Sequence, residues 1–398
     1  MKKVRTIFKS VVITMLLSTA VFANGLSLNS IGTRALAMGG AFIGLSNDGT
    51  AIYWNPAGIS GQANSIYIAV TDIMPFASYK MPLMGIDAET KTNHYIAPNV
   101  FAVYSLGDIT LGFGAYVPAG LGAEWDKADF GFEMMSKIGV FNFSPTIAYK
   151  ISDNVSIGAA VNIAYGMMEL KMAQDDGSGT NIQYSEDVTG WGFGASFGMK
   201  FKAAENLCLG LSVKTPLKIS FDGDVTFGLP MTLERDIEWP WWFGAGIAFM
   251  PQENWTITAD AQYTNWSSLD QIETVYSFTH PQAGPMTMTQ DMELKWDNAI
   301  QIRIGTEYQV SDAFAVRCGY YYDPAPSPDE TLVVLFPSST NHVITGGFGY
   351  QTGNIRFDLG AEYLIGGERE VAVNATNAMP GTHQMDIFAV SAGFGIGL

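Results

Sequence analysis

The sequence predicts an all-β protein, a 14-stranded antiparallel transmembrane β-barrel whose N-terminal segment plugs the lumen. Three observations favour this class. Apolar and polar residues alternate in short stretches, tight polar turns alternate with longer polar loops, and no stretch after residue 23 is apolar for long enough to form a membrane-spanning helix. Because a closed barrel leaves no unpaired strand edge, it is the form in which a sheet crosses a lipid bilayer.

The first residues, 1–23, are expected to be a secretory signal peptide. "MKKVRTIFKS" is basic, "VVITMLL" is apolar, and Val21 and Ala23 occupy the small-residue positions of a cleavage site. The alternative, a membrane-spanning helix, is disfavoured because the apolar run is short. We expect the mature chain to begin near Asn24.

Composition narrows the class of partner. The chain is 47% hydrophobic and 15% charged, with 43 glycines and a net charge of −17. Such a chain repels phosphate, so a nucleic-acid partner is excluded. Cys208 and Cys318 are expected to face opposite sides of their strands and to remain unpaired. The four histidines are scattered and no cofactor or metal motif is present, so we expect no cofactor and no metal.

Period-two alternation defines the strands. In "WTITADAQY" the residues from Trp255 to Tyr263 alternate between an apolar and a polar face, and "AIQIRIGTEYQV" and "NIRFDLGAEYL" behave alike. The same count places Cys208, Gly210, Ser212 and Lys214 on one face. A soluble sandwich is the alternative fold, but it would have to cover its apolar faces, whereas the charged faces here suit a wet lumen.

The connections set the strand number. Tight turns of small residues with Asp, Glu or Asn fall near residues 107, 152, 204, 252, 311 and 353. One longer polar loop lies in each interval. The turns divide residues 62–398 into seven hairpins, which gives the even strand number and the alternation of short and long connections typical of outer-membrane barrels.

Residues 24–61 precede these hairpins. Their last part, "NDGTAIYWNPAGIS", is too broken by Gly and Pro to be a strand and too aromatic for a linker. A barrel of this size is too wide for wall side chains alone to fill. We therefore expect residues 24–61 to lie inside the barrel as a plug.

The stretch "NGLSLNSIGTRALAMGGAFIGLSNDGTAIYWNPAGIS" resembles the start of the long-chain fatty acid outer-membrane transporter family (FadL-type), including its Asn-Pro-Ala motif at Asn55, Pro56 and Ala57. "VPAGLGAEW", "WGFGASFGMKF", "LSVKTPLKISFDGD" and "GYYYDPAPSPDETLVVLFPSSTNHVITGGFGYQ" extend the resemblance over nearly the whole mature chain. It implies a 14-stranded barrel with residues 24–61 as a hatch.

The resemblance also implies a side opening at a kink in the third strand, "ITLGFGAYVPAGLGAEW". Pro118 donates no ladder hydrogen bond, and Gly120 and Gly122 add no side chain to the packing. Gly120 falls where the family has its kink glycine. An ordinary strand end that reaches a loop is the alternative.

Family members that carry fatty acids hold the carboxylate with basic pocket residues, and the resemblance places Leu26 in contact with that pocket. The best-aligned pocket positions here are Met172 and Glu273, neither of which is basic. Lys171 is adjacent, but a step of one residue reverses the face. A buried Glu273 would repel a carboxylate. We therefore expect either a fatty acid or a neutral, aromatic hydrophobic ligand.

The predicted function is passive uptake of hydrophobic compounds across the outer membrane of a Gram-negative-type bacterium, by capture in an apolar pocket, hatch movement and lateral exit at the third-strand kink. A nonspecific or structural porin-like barrel is the alternative, and an outer-membrane lipase is disfavoured because no Gly-x-Ser-x-Gly elbow is present. The expected partners are the ligand, membrane lipid and lipopolysaccharide, and the expected state is a monomer.

Two side-chain groups are open to two interpretations. Trp239, Trp241 and Trp242 in "EWPWWFGAG" are either a platform for ligand or, as we favour, part of an aromatic girdle. The inward arginines, Arg303, Arg317 and Arg356, either guide an anion or, as we favour, pair with carboxylates of the wall.

Overall fold

A computed structural model describes residues 25, 27–176 and 178–398. The predicted signal peptide and Leu26 lie outside these residues. In the first half of the described chain the strands are β1 (Ser65–Met81), β2 (Ile86–Glu89), β3 (Tyr95–Leu106), β4 (Ile109–Glu124), β5 (Met135–Lys150), β6 (Val155–Asp175), β7 (Asn181–Ala204), β8 (Leu207–Lys214), β9 (Leu217–Phe227) and β10 (Leu229–Trp239). In the second half they are β11 (Trp242–Gln252), β12 (Trp255–Thr264), β13 (Gln271–His280), β14 (Gly284–Glu293), β15 (Ala299–Ser311), β16 (Phe314–Asp323), β17 (Asn341–Thr352), β18 (Ile355–Gly366), β19 (Arg369–Val371) and β20 (Gly381–Gly397).

Several of these segments are parts of one interrupted wall strand. The interrupted strands are β2 with β3, β8 with β9, β10 with β11, β12 with β13, β14 with β15, and β18 with β19. Counted in this way, the wall has 14 antiparallel strands. β1 pairs with β20 from Ser65 opposite Gly397 to Lys80 opposite Thr382, which closes the sheet. The predicted fold class is confirmed, and the alternative of a soluble sandwich is wrong.

All six predicted tight turns connect neighbouring strands. They lie between β3 and β4, β5 and β6, β7 and β8, β11 and β12, β15 and β16, and β17 and β18. Each turn joins strands whose hydrogen-bond register begins within two or three residues of it, as in the Leu106–Ile109 and Thr352–Ile355 pairs. The short polar turns therefore lie together at one end of the barrel.

The wall is apolar outside and polar inside. On β15, Ile302 and Ile304 are 54% and 50% exposed, whereas Gln301 and Arg303 between them are 1% exposed. This alternation places aliphatic side chains towards lipid and charged side chains towards the lumen. Within the described residues no helix has the length and hydrophobicity needed to span a membrane.

The described part of the predicted plug is compact and buried. It contains helix α1 (Thr33–Ala37), helix α2 (Ala51–Trp54) and a 3₁₀ turn at Pro56–Ile59. Nearly every residue from 30 to 59 is buried, and this segment contacts strands on opposite sides of the wall, including β6, β7, β17 and β18. The described part of this segment therefore lies inside the barrel; we call residues 25 and 27–61 the hatch.

The other end of the barrel is covered by apolar side chains. The connection between β16 and β17 folds inward: Val334 and Leu335 are buried, and the Val334 carbonyl accepts a 3.1 Å hydrogen bond from the Trp125 indole nitrogen. Short helix α3 (Lys127–Phe130) follows Trp125. These segments cover a large apolar cluster, which includes Trp266, Leu269 and Trp296, and we call them the roof.

Candidate ligand passage

The Asn-Pro-Ala motif attaches the hatch to the wall. The Asn55 amide nitrogen donates to the Ile43 carbonyl at 3.1 Å and to the Met199 carbonyl of β7 at 3.0 Å, and its oxygen accepts from the Ala57 N–H at 3.2 Å. Pro56 begins the 3₁₀ turn, where its missing N–H costs no hydrogen bond. The motif thus joins two parts of the hatch to one wall strand.

Wall glycines make room for this contact. A Cβ on Gly198 would overlap the Asn55 side-chain oxygen, and a Cβ on Gly158 would overlap the Pro56 carbonyl carbon. The hatch backbone at Ile43 lies against Gly210 in the same way. Close approach of two backbones requires glycine at such positions. Part of the glycine content of the chain is explained by these contacts, on three consecutive wall strands.

An ionic cluster holds the other side of the hatch. Arg34 of α1 donates from Nε and Nη2 to the Glu307 carboxylate of β15 at 2.8 and 2.6 Å, and Arg317 Nε contacts the same carboxylate at 2.6 Å. Burial opposes the charge of Arg34, but Glu307 outweighs it and raises the pKa of Arg34 above its ordinary value. Arg317 also pairs with Asp358 at 2.7 Å. The predicted wall pairing is confirmed for Arg317, and for Arg356, which lies 2.8 Å from Asp358.

Arg303 differs from that prediction. Its guanidinium donates to the backbone carbonyls of Asn29 and Gly39 at 2.9 and 3.0 Å, and to the Gln301 side-chain oxygen at 2.9 Å. In the described residues it has no carboxylate within ion-pair distance. Arg303 therefore holds hatch backbone rather than balancing a wall charge.

The third wall strand, β4, is irregular where the sequence predicts a kink. Its pairing with β5 shifts between Tyr116 and Ala119, so that Val117 and Pro118 together lie opposite a single residue. Such a two-against-one arrangement is a β-bulge, which bends the strand. Pro118 lies in the bulge and Gly120 and Gly122 follow it. The irregularity is a bulge inside a continuing strand, because β4 remains paired with β5 as far as Glu124.

The bulge coincides with a break in the wall. β3 and β4 are paired only from the turn up to Val100 opposite Ala115. Beyond this point β3 continues along β1 to Tyr95, while β4 continues along β5. The two strands meet again where the Lys91 N–H donates to the Glu124 carbonyl at 2.7 Å. Between these limits the two strands make no ladder with each other; we call this gap the window.

The start of the hatch lies against the window. Ser27 pairs with Ala119 as an isolated antiparallel bridge, and the Leu28 N–H donates to the Pro118 carbonyl at 2.9 Å. Ala119 already pairs with Val140 of β5 on its other side. Ser27 therefore occupies the β4 edge that β3 leaves, and backbone groups that lipid would not tolerate unpaired are partly satisfied.

Two cavities flank this N-terminal segment. Cavity 1 encloses about 790 Å³ of empty space, counted to its open end, and is lined by Leu28, Tyr53, Tyr116, Pro118, Lys214 and Trp242 among others. Cavity 2 encloses about 770 Å³ on the same measure, and its lining includes Ile31, Ala97, Gly120, Asp323, Glu362 and Met385.

The predicted kink residues divide between these spaces. Pro118 and Ala119 line cavity 1, whereas Gly120 lines cavity 2 at the window. Gly122 lines a smaller space of about 220 Å³, which Tyr95 also lines. A Cβ on Gly122 would overlap the Tyr95 ring. β4 and residues 27–29 thus separate a lumenal cavity from one beside the window.

The predicted pocket residues have different positions. Met172 packs against the apolar cluster of the lumen. Lys171 faces the other way, and its ammonium pairs with the Glu133 carboxylate at 3.1 Å, so it does not take the place of the missing basic residues. Leu26 lies outside the described residues.

Glu273 is exposed, while Ile272 and Thr274 on either side of it are buried. The expectation that Glu273 is buried is therefore wrong. Even-numbered residues face inward on both sides of the break between β12 and β13. Carrying the alternation through this break places Glu273 outside.

The tryptophan cluster also requires a correction. Trp241 is 41% exposed and stacks on Phe243 at 5.8 Å, as a girdle residue would. Trp239 and Trp242, however, line cavity 1. The chain is interrupted at Pro240 and Trp241 between β10 and β11, which places both of these tryptophans on the inner side.

Sequence reasoning also missed Lys214 as a cavity residue. Its ammonium lies 3.3 Å from the centroid of the Tyr53 ring and 4.4 Å from that of Trp242. The alternation had placed Lys214 on the face of Cys208, Gly210 and Ser212. An inward lysine with no acidic neighbour on its own face was the available signal.

Comparisons with known proteins agree with this architecture. The family model described as "Outer membrane protein transport protein (OMPP1/FadL/TodX)" matches residues 14–397. A long-chain fatty acid transport protein of Salmonella typhi is 22% identical and 88% of this chain and 89% of that protein are covered. Outer membrane protein P1 of Haemophilus influenzae is 23% identical, with 70% of each chain covered.

Solved structures of similar fold include a Pseudomonas aeruginosa FadL homologue, with a TM-score of 0.82, 16% identity, and coverage of 94% of this chain and 100% of that one. The Pseudomonas putida toluene transporter TodX has a TM-score of 0.75, 18% identity, and coverage of 96% and 100%. At these identities the structures show the fold alone. The family model covers almost the whole chain, and the protein therefore belongs to the OMPP1/FadL/TodX family of outer-membrane transport proteins, which are transport channels and not enzymes.

Proposed function

We propose that this chain takes up hydrophobic compounds by a lateral route: capture beneath the roof, binding in cavity 1, displacement of the start of the hatch at Ser27 and Leu28, passage to cavity 2, and exit through the window into the bilayer. The observation that carries the proposal is the window itself, a stretch of β3 and β4 without mutual pairing that has cavity 2 beside it. The fatty acid and toluene transporters among the similar proteins make both ligand types candidates.

The driving force is burial of apolar surface. Each methylene that leaves water contributes about 0.8 kcal/mol, so a chain or ring that enters the apolar cluster gains free energy without any energy source. Net movement then follows the gradient into the membrane. Lipid and lipopolysaccharide contact the exposed apolar wall, and because the barrel closes on itself, we propose that a monomer is sufficient.

Only the start of the hatch has to move in this scheme. Asn29 is held by Asp323 at 2.8 Å and by Arg303, and Arg34 is held by Glu307. Among the described residues before Asn29, Ser27 and Leu28 contact β4, and Gly25 lies against Trp266 and Trp296. Displacing these few residues joins cavity 1 to cavity 2.

The experiment obstructs the window. A Cβ on Gly120 would meet nothing nearer than the Ile138 carbonyl at 3.4 Å, so Gly120→Phe can be accommodated and places a ring beside cavity 2. Gly346→Phe is the matched control, since a Cβ on Gly346 would meet nothing nearer than the Arg317 carbonyl at 3.7 Å, and Gly346 lies on β17 and lines none of the three spaces described above. Uptake of radiolabelled oleate and toluene is measured in cells that lack their own transporter and whose outer-membrane permeability is known.

We expect Gly120→Phe to reduce uptake of both compounds by about tenfold or more, while binding to purified protein in detergent is unchanged and Gly346→Phe behaves as wild type. A tenfold decrease corresponds to an increase of about 1.4 kcal/mol in the free-energy barrier to exit, which steric obstruction by one phenyl ring can supply. Equal uptake by Gly120→Phe and wild type would contradict lateral exit.

A further inference from the structure

Cavity 2, which lies beside the window, has an acidic lining. Asp323 and Glu362 line it, and none of its described lining residues is Lys or Arg. Cavity 1 has the opposite character, because Lys214 and Arg303 line it and no Asp or Glu does so among the described residues. A compound that passes from cavity 1 to cavity 2 therefore leaves basic side chains and meets acidic ones.

Glu362 has no countercharge. It belongs to the inward face of β18 and is only 8% exposed, yet in the described part of the chain no basic side chain lies within ion-pair distance of it. Other buried carboxylates of the lumen have such a partner: Glu307 pairs with Arg34 at 2.6 Å, and Glu186 pairs with Arg235 at 2.7 Å. Because an unbalanced buried charge is costly, a carboxylate in this position calls for an explanation.

Neutral hydrogen bonds hold one side of the Glu362 carboxylate. Its Oε2 atom accepts from the Ser30 hydroxyl of the hatch at 3.0 Å and from the Tyr321 hydroxyl at 3.3 Å. Its Oε1 atom accepts no hydrogen bond from the described residues. Arg303 lies over the Tyr321 ring, 4.2 Å from its centroid, but donates its own hydrogen bonds to the hatch carbonyls described above. The charge of Glu362 therefore acts on whatever enters cavity 2.

Much of the remaining described lining of cavity 2 suits an uncharged hydrophobic compound. Ile73, Leu364 and Ile387 contribute apolar surface from β1, β18 and β20, and Gly120 borders the window. A neutral compound gains contact with these side chains and does not interact strongly with the carboxylates. An anion would enter the same space against two negative charges, in surroundings where water screens them less than it does in bulk.

We propose that Glu362 selects against anions at the exit, so that uncharged hydrophobic compounds pass through cavity 2 to the window and carboxylates are held back. This inference rests on the proposed function, since it names the class of compound that the passage releases. It places selectivity on β18, beside the window, rather than at Lys171, Met172 or Glu273.

Repulsion between like charges sets the size of the effect. Two unit charges about 6 Å apart, at an effective dielectric constant of about 20, repel strongly enough to slow a step by about 100-fold. Asp323 also lines cavity 2, where its carboxylate accepts hydrogen bonds from the side-chain amides of Asn29 and Gln301. Because Asp323 remains when Glu362 is neutralised, we expect removal of the Glu362 charge to recover about tenfold.

The test compares an anion with an uncharged compound of the same chain length. Uptake of radiolabelled oleate, oleyl alcohol and toluene is measured at pH 8 in cells that lack their own transporter, and uptake by cells without this protein is subtracted. The variants are Glu362→Gln, which keeps the shape and an acceptor oxygen but removes the charge, and Glu362→Asp, which keeps the charge. Glu234→Gln is the matched control, because Glu234 is exposed on β10 and lines neither cavity.

We expect wild type to take up oleyl alcohol and toluene faster than oleate. Glu362→Gln should raise oleate uptake by about tenfold, as worked out above, and should change uptake of the two neutral compounds by less than about twofold. Glu362→Asp should retain the preference for neutral compounds, and Glu234→Gln should match wild type. Retained folding is checked by the heat-dependent shift of the barrel in electrophoresis.

Oleate uptake that is the same in Glu362→Gln and wild type would overturn the selection against anions. So would equal uptake of oleate and oleyl alcohol by wild type, and in both cases uptake of the neutral compounds would leave the proposed function intact. An equal rise for all three compounds in Glu362→Gln would also overturn it, because Glu362 would then act only as an anchor of the hatch through Ser30. Failure of wild type to take up any of the three compounds would overturn the proposed function, and the selection with it.

Discussion

Replacing Arg34 with methionine tests whether the ionic cluster keeps the hatch seated. Arg34→Met preserves most of the side-chain length but removes both hydrogen bonds to Glu307 and the 2.5 Å hydrogen bond to the Asn47 side-chain oxygen. The hatch would then lose its ionic link to β15. The wall should remain intact, because Arg317 still pairs with Glu307 and Asp358.

The size of the effect follows from the environment. Loss of one partner of a buried ion pair costs about 3–5 kcal/mol when the other charge is left alone. Because Arg317 continues to neutralise Glu307, we expect the lower end, about 3 kcal/mol. At 1.4 kcal/mol for each factor of ten, this corresponds to an increase of about 150-fold in the population of displaced hatch.

Native-state amide hydrogen exchange measures this population directly. The informative amides are those bonded inside the hatch, such as Leu36 to Gly32, Ser46 to Phe42 and Asn55 to Ala51. They should exchange about 150-fold faster in Arg34→Met, while amides of β15 and β17 keep the wild-type rate. Arg356→Met is the control, since Arg356 pairs with Asp358 on the wall without touching the hatch in any contact described above. Unchanged hatch exchange, or equal acceleration in the wall, would refute the reasoning.

The glycine contacts of the Asn-Pro-Ala motif give two related predictions. Gly198→Ala forces a Cβ into the Asn55 side chain and should weaken binding of the hatch to the wall by about 1–3 kcal/mol, which is measured as faster amide exchange in the hatch. Gly139→Ala is the control and should have no effect, because Gly139 has open space around it. Equal exchange in the two variants would contradict the contact between Gly198 and Asn55. Asn55→Leu removes three neutral hydrogen bonds of about 1 kcal/mol each. Amide exchange at Ala57 and Ile59 should become faster, while the melting temperature of the barrel is unchanged. A lowered melting temperature of the barrel would instead show that Asn55 stabilises the wall.

Local chemistry explains what the sequence could predict. The six tight turns and the facing of strand residues depend on neighbours within a few positions, and these predictions are confirmed. Lys171 follows the same rule: it faces away from Met172 because successive strand residues point to opposite sides. The error at Glu273 arose where alignment to a family position replaced the alternation count.

Contacts between distant segments explain what it could not predict. Lys214 was placed on the correct face, but its role depends on Tyr53 of the hatch and Trp242 of β11, which only the folded barrel brings together. Arg303 was expected to pair with a wall carboxylate, whereas it binds the hatch carbonyls of Asn29 and Gly39. Period-two alternation separates inside from outside, but it does not say what an inward side chain meets in the lumen.

The central claim is that Ser27 and Leu28 must leave β4 for a ligand to pass, and a reversible crosslink tests it most directly. Ser27 and Ala119 are bridged as antiparallel partners, whose usual Cα separation of about 4.5–5.5 Å suits a disulfide. Ser27→Cys with Ala119→Cys is introduced after the two native cysteines, both free, have been replaced by serine. Uptake of radiolabelled oleate and toluene is measured before and after reduction. The account predicts that uptake is blocked when the bridge is oxidised and returns on reduction; full uptake through the oxidised protein would contradict it.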